Sequence, residues 1–164
     1  MADTFEALGI DATLTAALSR MGIVKPTAIQ TAAIPPALAG RDLAGRSATG
    51  TGKTIAFLLP LVAKIDATAR ENQALILAPT HELVIQIQRQ LELLLADLPV
   101  TAVPLIGNAN ITRQIEKLKT KPHILVGSPG RVLELIQKRK INASTIKTSV
   151  LEEADRLLDD QNRD

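Results

Sequence analysis

Eight consecutive residues, Ser47-Ala48-Thr49-Gly50-Thr51-Gly52-Lys53-Thr54, combine the residue types needed to wrap a backbone loop around phosphate groups. Gly50 and Gly52 permit positive φ angles and close backbone approach, which turn successive N–H groups toward an anion. The apolar run that follows, Ile55, Phe57, Leu58, Leu59, Leu61 and Val62, reads as a helix whose N-terminal dipole favours negative charge at the same place. Lys53 brings a charge suited to the β- and γ-phosphates of a nucleotide, and the Thr54 hydroxyl suits a Mg²⁺ bridging them. Ser47 stands where the strict phosphate-loop pattern has its first glycine, so the tight turn must fall at Gly50 and Gly52.

A second group lies near the other end, in Val150-Leu151-Glu152-Glu153-Ala154-Asp155. Three carboxylates directly follow a buried apolar run. One of them near a phosphate-bound Mg²⁺ orients its water shell, and a neighbour accepts a proton from the water attacking the γ-phosphate. Taken alone, the stretch reads equally as an acidic first turn of a helix. Joined to the phosphate loop, it points to nucleotide hydrolysis by Glu152, Glu153, Asp155 and Lys53.

The elements that must position these groups alternate. An amphipathic helix ends near Arg20 behind an Asp11 or Thr13 cap, a turn follows at Gly22 to Pro26, and Thr27 caps a second helix through Ile34 whose last turn meets Pro35 and Pro36. Leu43-Ala44-Gly45-Arg46 reads as the strand entering the phosphate loop. Beyond the loop's helix come strands at Ala74–Ala78, Thr101–Ile106, His123–Gly127 and Thr148–Leu151. Between them lie helices at His81–Leu98, Asn110–Lys119 and Pro129–Lys138. Short apolar strands alternating with helices predict a parallel sheet covered on both faces, with ligands at the strands' carboxyl ends.

Composition narrows the partners. At 164 residues the chain is expected to be one domain, long enough to bury a substantial core. It has no cysteine, which excludes disulfides and thiolate metal sites. With two phenylalanines and no Trp or Tyr it cannot build a base-stacking platform, so any nucleic acid must be held by its backbone. The net charge of +2 is too slight to argue for such a partner by itself. No apolar run reaches membrane-spanning length and the acidic N-terminus lacks the form of a signal peptide, so the cytoplasm is the expected compartment; a monomer is the expected state.

Together these residues resemble the DEAD-box ATP-dependent RNA helicases, specifically the first of their two RecA-like domains, over nearly the whole chain. Gly22-Ile23-Val24-Lys25-Pro26-Thr27-Ala28-Ile29-Gln30 is similar to the family's adenine-reading element, within residues 1–40. Phe5 precedes it at the distance of the residue that stacks on the base. Lys25, Thr27 and Gln30 would belong to the ATP site, Gln30 offering a donor and an acceptor to the adenine edge. Pro79-Thr80-His81-Glu82-Leu83 resembles the first RNA-contact motif, Gly107-Asn108 stands at an RNA-facing glycine pair, and Ser128-Pro129-Gly130-Arg131 resembles a later RNA motif. Hydroxyls, backbone N–H groups and helix N-termini there would grip phosphates without regard to sequence, with Arg131 adding a charged contact. The implied fold is a three-layer α/β RecA-like domain with a mostly parallel central sheet, and the implied cofactors are ATP and Mg²⁺.

The sequence departs from the family pattern at several of these positions. Glu152 replaces the usual aspartate, lengthening the metal-orienting carboxylate by one methylene. His81 replaces an arginine, removing a permanent charge. Asn108 replaces the second glycine of the pair, and Ile23 stands where an aromatic is common. The chain as given stops nine residues after Asp155, short of the Ser-Ala-Thr segment and the second RecA-like domain that the resemblance implies, so it is not expected to separate duplexes alone. Two other readings stay open at this point. One is a nucleotide-dependent RNA-interaction module with impaired hydrolysis, which Glu152 and His81 would discriminate. The other is a different phosphate-loop enzyme such as a kinase, against which the adenine element and Ser-Pro-Gly-Arg argue.

Overall fold

A computed structural model describes residues 3–43 and 52–153. Ala44-Gly45-Arg46 of the expected first strand, the loop residues Ser47, Ala48, Thr49, Gly50 and Thr51, and Asp155 lie outside the described residues. The chain divides into two compact units, Met1–Ile65 with Leu93–Leu98, and Asp66–Glu92 with Pro99–Asp164.

The first unit is helical where described. Helix α1 (Ala12–Arg20) starts at Asp11, whose Oδ1 accepts from the Leu14 N–H at 2.9 Å. It ends where Gly22 takes φ +80° and the Ile23 N–H returns to Leu18 O at 2.9 Å, a glycine-terminated C-cap. Helix α2 (Ala28–Leu38) runs through both Pro35 and Pro36, past the point where the prolines were expected to threaten it. Each proline removes one i→i−4 bond, but their carbonyls accept from the N–H groups of Ala39 and Arg41, and α2 packs against α3 (Lys53–Ala63). Tertiary packing thus carries the last turn through.

The second unit holds a four-stranded, all-parallel sheet in the order β2-β3-β1-β4, formed by β1 (Ala74–Leu77), β2 (Ala102–Leu105), β3 (Ile124–Gly127) and β4 (Thr148–Leu151). Helices α4 (His81–Leu94), α5 (Ile111–Leu118) and α6 (Pro129–Gln137) make the crossovers that parallel neighbours require. Leu105 and Leu125 of the sheet pack with Leu118 of α5 and Val132 and Leu135 of α6 in one apolar cluster. Residues of opposite parity, Ala74, Ile76, Ile124 and Val126, are fully buried as well, so β3 is buried on both faces, whereas β1 keeps Leu75 and Leu77 only half-buried and β4 is not the buried run expected, with Leu151 exposed among the described residues. Helix α4 is shorter than its apolar run suggested. It stops at Leu94, and the Leu98 N–H closes a turn onto Leu95 O at 3.0 Å. A short 3₁₀ turn at Ala143–Thr145, not evident in the sequence, leads into β4. Among the described residues no helix is long and apolar enough to cross a membrane.

Candidate functional site

The predicted site residues fall into two groups, one in each unit. In the first unit, Thr27 and Gln30 form a capping box at the start of α2. The Gln30 N–H donates to Thr27 Oγ1 at 3.4 Å, and Gln30 Oε1 accepts from the Thr27 N–H at 2.9 Å. The other end of the same amide, Nε2, donates 3.0 Å to the carbonyl of Gly52, which also accepts the Ala56 N–H at 3.1 Å. The partners fix the amide's orientation, since an N–H needs the oxygen and a carbonyl needs the nitrogen. Gln30, only 1% exposed, is therefore a strut between the adenine-like element and the start of α3.

Gly52 is the N-cap of α3 at φ +86°, a conformation favouring glycine, and no side chain caps the helix there. Lys53 and Thr54 are the first two residues of α3, where N–H groups lack intrahelical partners and the dipole is positive. A cleft of about 400 Å³ is lined by Lys25, Pro26, Thr27, Ala28 and Thr31, with Asp3. Phe5 does not line it. Its side chain is 1% exposed, and its carbonyl closes the turn that takes the N–H groups of Leu8 and Ile10.

In the second unit the sheet register sets Leu105, Gly127, Leu77 and Leu151 side by side. The ladder continues one residue past that line. Ser128 N–H donates to Leu105 O at 3.0 Å, Ala78 N–H to Gly127 O at 3.1 Å and Glu152 N–H to Leu77 O at 2.9 Å. Gly107, Ser128-Pro129-Gly130-Arg131, Pro79-Thr80-His81 and Glu152-Glu153 accordingly leave one carboxyl edge of one sheet, the edge at which parallel α/β folds bind ligands.

Each strand end hands its motif to a local structure. Thr80 Oγ1 accepts from the Leu83 N–H at 3.2 Å at the start of α4. Ser128 is the N-cap of α6 but makes no cap bond through its side chain, and Pro129 occupies the first turn. A Cβ on Gly130 would meet open space, while one on Gly107 would stand 3.9 Å from His81 Nε2, which brings those two predicted residues together. Glu152 is buried to 7% exposure at the end of β4, and Glu153 adopts φ +52°, uncommon for a residue with a side chain. The acidic pair thus sits at a sharp turn leaving the sheet.

Arg131, expected to add a charged contact to RNA, is engaged within the chain. Its guanidinium donates to Gly107 O at 2.8 Å, Ala109 O at 3.2 Å and Gln114 Oε1 at 3.0 Å, and Nε lies 3.3 Å from Glu134 Oε2 without hydrogen-bond alignment. Two residues of this edge went unflagged in the sequence. Gln114 belongs to the apolar stripe of Ile111, Ile115 and Leu118, and that shared spacing was the available sign of a buried amide. Gly127 closes β3 because a Cβ there would lie 2.5 Å from Val132 Cγ2 and 2.9 Å from Leu105 O. Its sign was a glycine ending an apolar strand.

The chain is similar to proteins of one known family. The DEAD/DEAH box helicase family description matches residues 27–164. The DEAD-box ATP-dependent RNA helicase CshA of Bacillus licheniformis is 44% identical over 158 residues, covering 96% of this chain and 32% of that protein. The ATP-dependent RNA helicase CshA of Listeria monocytogenes is 44% identical over 154 residues, 94% of this chain and 30% of its own length. CshC of Bacillus cereus, another DEAD-box ATP-dependent RNA helicase, is 45% identical over 142 residues, 87% of this chain and 36% of its own. The chain thus spans about a third of the length of these relatives. The parallel sheet, its loaded carboxyl edge and the matched residues lead to one conclusion: this chain belongs to the DEAD/DEAH box helicase family.

Proposed function

We propose that the chain is the ATP- and RNA-binding N-terminal RecA-like domain of an RNA helicase, which couples ATP hydrolysis to duplex remodelling when joined to a second RecA-like domain. The observation that carries the proposal is the carboxyl edge. Three RNA-motif segments and the acidic pair leave it side by side, from the ends of four adjacent parallel strands. RNA would be held through phosphates, by the open N-terminus of α6 after Ser128, by the Thr80-His81 start of α4 and by the backbone at Gly107.

ATP would be held in the first unit. The cleft beside Lys25 and Thr27 is within the usual size of ligand sites. The Gln30 amide has one N–H and one lone pair engaged within the chain and is as buried as Phe5, so it reads adenine only if its surroundings open. Lys53 and Thr54, together with Ser47, Ala48, Thr49, Gly50, Thr51 and Gly52, would take the phosphates. Phe5 stacks on the base only if its buried ring comes out, so the proposal does not rest on it.

On the family resemblance, the residues that would donate to a metal carry hard oxygens, the Thr54 hydroxyl in the first unit and the Glu152 carboxylate in the second. Among the described residues no three His, Cys, Asp or Glu side chains form a cage. Oxygen donors of this kind suit Mg²⁺, which keeps several waters and takes phosphate oxygens. When bound, it would neutralise charge on the phosphates. Glu153 would accept the proton of the attacking water, Glu152 with Asp155 would hold the surrounding water in place, and Lys53 would orient the terminal phosphates. The cytoplasm as compartment and a monomeric domain complete the reading. Titration calorimetry tests the nucleotide part. The parent should bind ADP in preference to GDP, and Lys53→Ala should weaken ATP binding by about tenfold or more, the loss of a charged hydrogen bond. Equal affinities for ADP and GDP, or a folded Lys53→Ala that binds as the parent does, would place the site elsewhere.

A further inference from the structure

We infer that Arg131 and Gln114 act on RNA indirectly, as positioning residues that hold the loop after β2 in a phosphate-binding shape, rather than Arg131 contacting phosphate itself. The inference rests on the RNA reading above.

The guanidinium has little left to offer a ligand. Its side chain is 10% exposed, and Nη1 and Nη2 make three hydrogen bonds while Nε faces Glu134. Two of those bonds go to loop carbonyls, Gly107 O and Ala109 O. The third goes to Gln114 Oε1, and the other end of that amide donates to Ile106 O at 2.9 Å. Gln114 is 5% exposed, so its bonds form out of water, where leaving either end unmade is costly. Arginine and glutamine together therefore fix three carbonyls of the four residues Ile106 to Ala109.

Peptide planarity gives this a consequence. The described chain has no cis peptide bond, and across a trans peptide the C=O of one residue and the N–H of the next point in opposite directions. Carbonyls of Ile106, Gly107 and Ala109 drawn toward Arg131 and Gln114 turn the N–H groups of Gly107, Asn108 and Asn110 the other way. The Ala109 N–H between them is spent on Ile106 O at 3.3 Å, so the adjacent N–H groups of Gly107 and Asn108 are the ones that can form an anion-binding concavity. The same clamp ties this loop to the start of α6, so two of the RNA-motif segments are set by one side chain.

Lysine at 131 separates the two roles. A phosphate contact needs mainly a point charge, whereas holding Gly107, Ala109 and Gln114 at once needs the planar fork. The test is fluorescence anisotropy with a single-stranded RNA oligomer across a salt series, on the parent, Arg131→Ala, Arg131→Lys and Gln114→Ala, with folding checked by circular dichroism. Arg131→Ala and Arg131→Lys should both lose about tenfold in affinity, Gln114→Ala should lose in the same direction, and the dependence of log K on log salt should keep its slope. Amide hydrogen exchange should quicken at Gly107 to Asn110 in all three. If Arg131→Lys binds like the parent and Arg131→Ala flattens the slope by about 0.7, Arg131 touches phosphate and the inference falls alone. If the parent binds no RNA even at low salt, the RNA reading falls and takes the inference with it. Should Arg131→Ala fail to fold, Gln114→Ala decides: unchanged affinity and unchanged loop exchange would overturn the clamp.

Discussion

Gly52→Ala probes the joint between the adenine-like element and the phosphate loop. Gly52 sits at φ +86°, where a residue with a Cβ costs about 1–2 kcal/mol. The added Cβ would fall 2.3 Å from Gln30 Nε2, 3.1 Å from Gln30 Cδ and 3.0 Å from Thr27 Oγ1, so the Gln30 amide must leave the Gly52 carbonyl. Gln30 is buried and has nowhere wet to go, and an unsatisfied buried amide costs about 1–3 kcal/mol. The two terms sum to a destabilisation of about 2–5 kcal/mol. Urea unfolding followed by circular dichroism measures it, since the chain has no tryptophan or tyrosine to report by fluorescence. Gln30→Ala is the informative partner, because it removes the strut and also makes room for the new Cβ. The double variant should therefore be less destabilised than the sum of the singles by about 1 kcal/mol or more. Strict additivity, or a Gly52→Ala loss below about 0.5 kcal/mol, would refute a strained cap held by Gln30.

Two further substitutions address the carboxyl edge. Gly127→Ala should cost about 1–3 kcal/mol in the same unfolding assay, because its Cβ meets Val132 and the Leu105 carbonyl, while Gly130→Ala, which opens onto free space within α6, should be neutral or stabilising by up to about 1 kcal/mol. Glu152→Asp, made in the chain joined to a second RecA-like domain, should raise RNA-stimulated ATP turnover by up to about tenfold. The Glu152 N–H is held in the ladder by Leu77 O, so the extra methylene is absorbed by the side chain and not by a shifted backbone. Phosphate release at or below the parent's rate would show that the longer carboxylate is no handicap.

Much of the fold could be read because its signals are local. Thr148–Leu151 is expected as a strand over the bounds observed, as the last step of the strand–helix alternation. Asp11, Thr27 and Asn110 cap the helices whose starts they mark. Reading failed where tertiary context overrode local preference. The prolines of α2 were outweighed by packing on α3, and the apolar run after Leu94 was recruited to a turn instead of a longer helix.

The site was legible at the level of which residues gather and less so in what each one does. Register alone brings Gly107, Thr80, Ser128 and Glu152 to one edge, and register follows from the strand pattern. What spacing cannot convey is how a side chain's bonds are distributed. Arg131 reads as a charge for a ligand until its three acceptors are seen, and the spacing that sets Gln114 on the apolar stripe of α5 does not show that both ends of its amide are engaged. Gln30 was expected to read a base, and its contacts within the chain, to Thr27 and Gly52, have no counterpart in sequence periodicity.

The central claim is that the acidic pair at the end of β4 serves RNA-dependent nucleotide hydrolysis. Steady-state phosphate release from ATP tests it most directly, measured on the chain joined to a second RecA-like domain, with and without single-stranded RNA, for the parent and for Glu153→Gln. The account predicts turnover that rises with RNA in the parent, and in Glu153→Gln a rate lowered by about a hundredfold or more, the contribution of a general base, with ATP binding retained. Turnover indifferent to RNA, or a Glu153→Gln variant that hydrolyses ATP as fast as the parent, would contradict it.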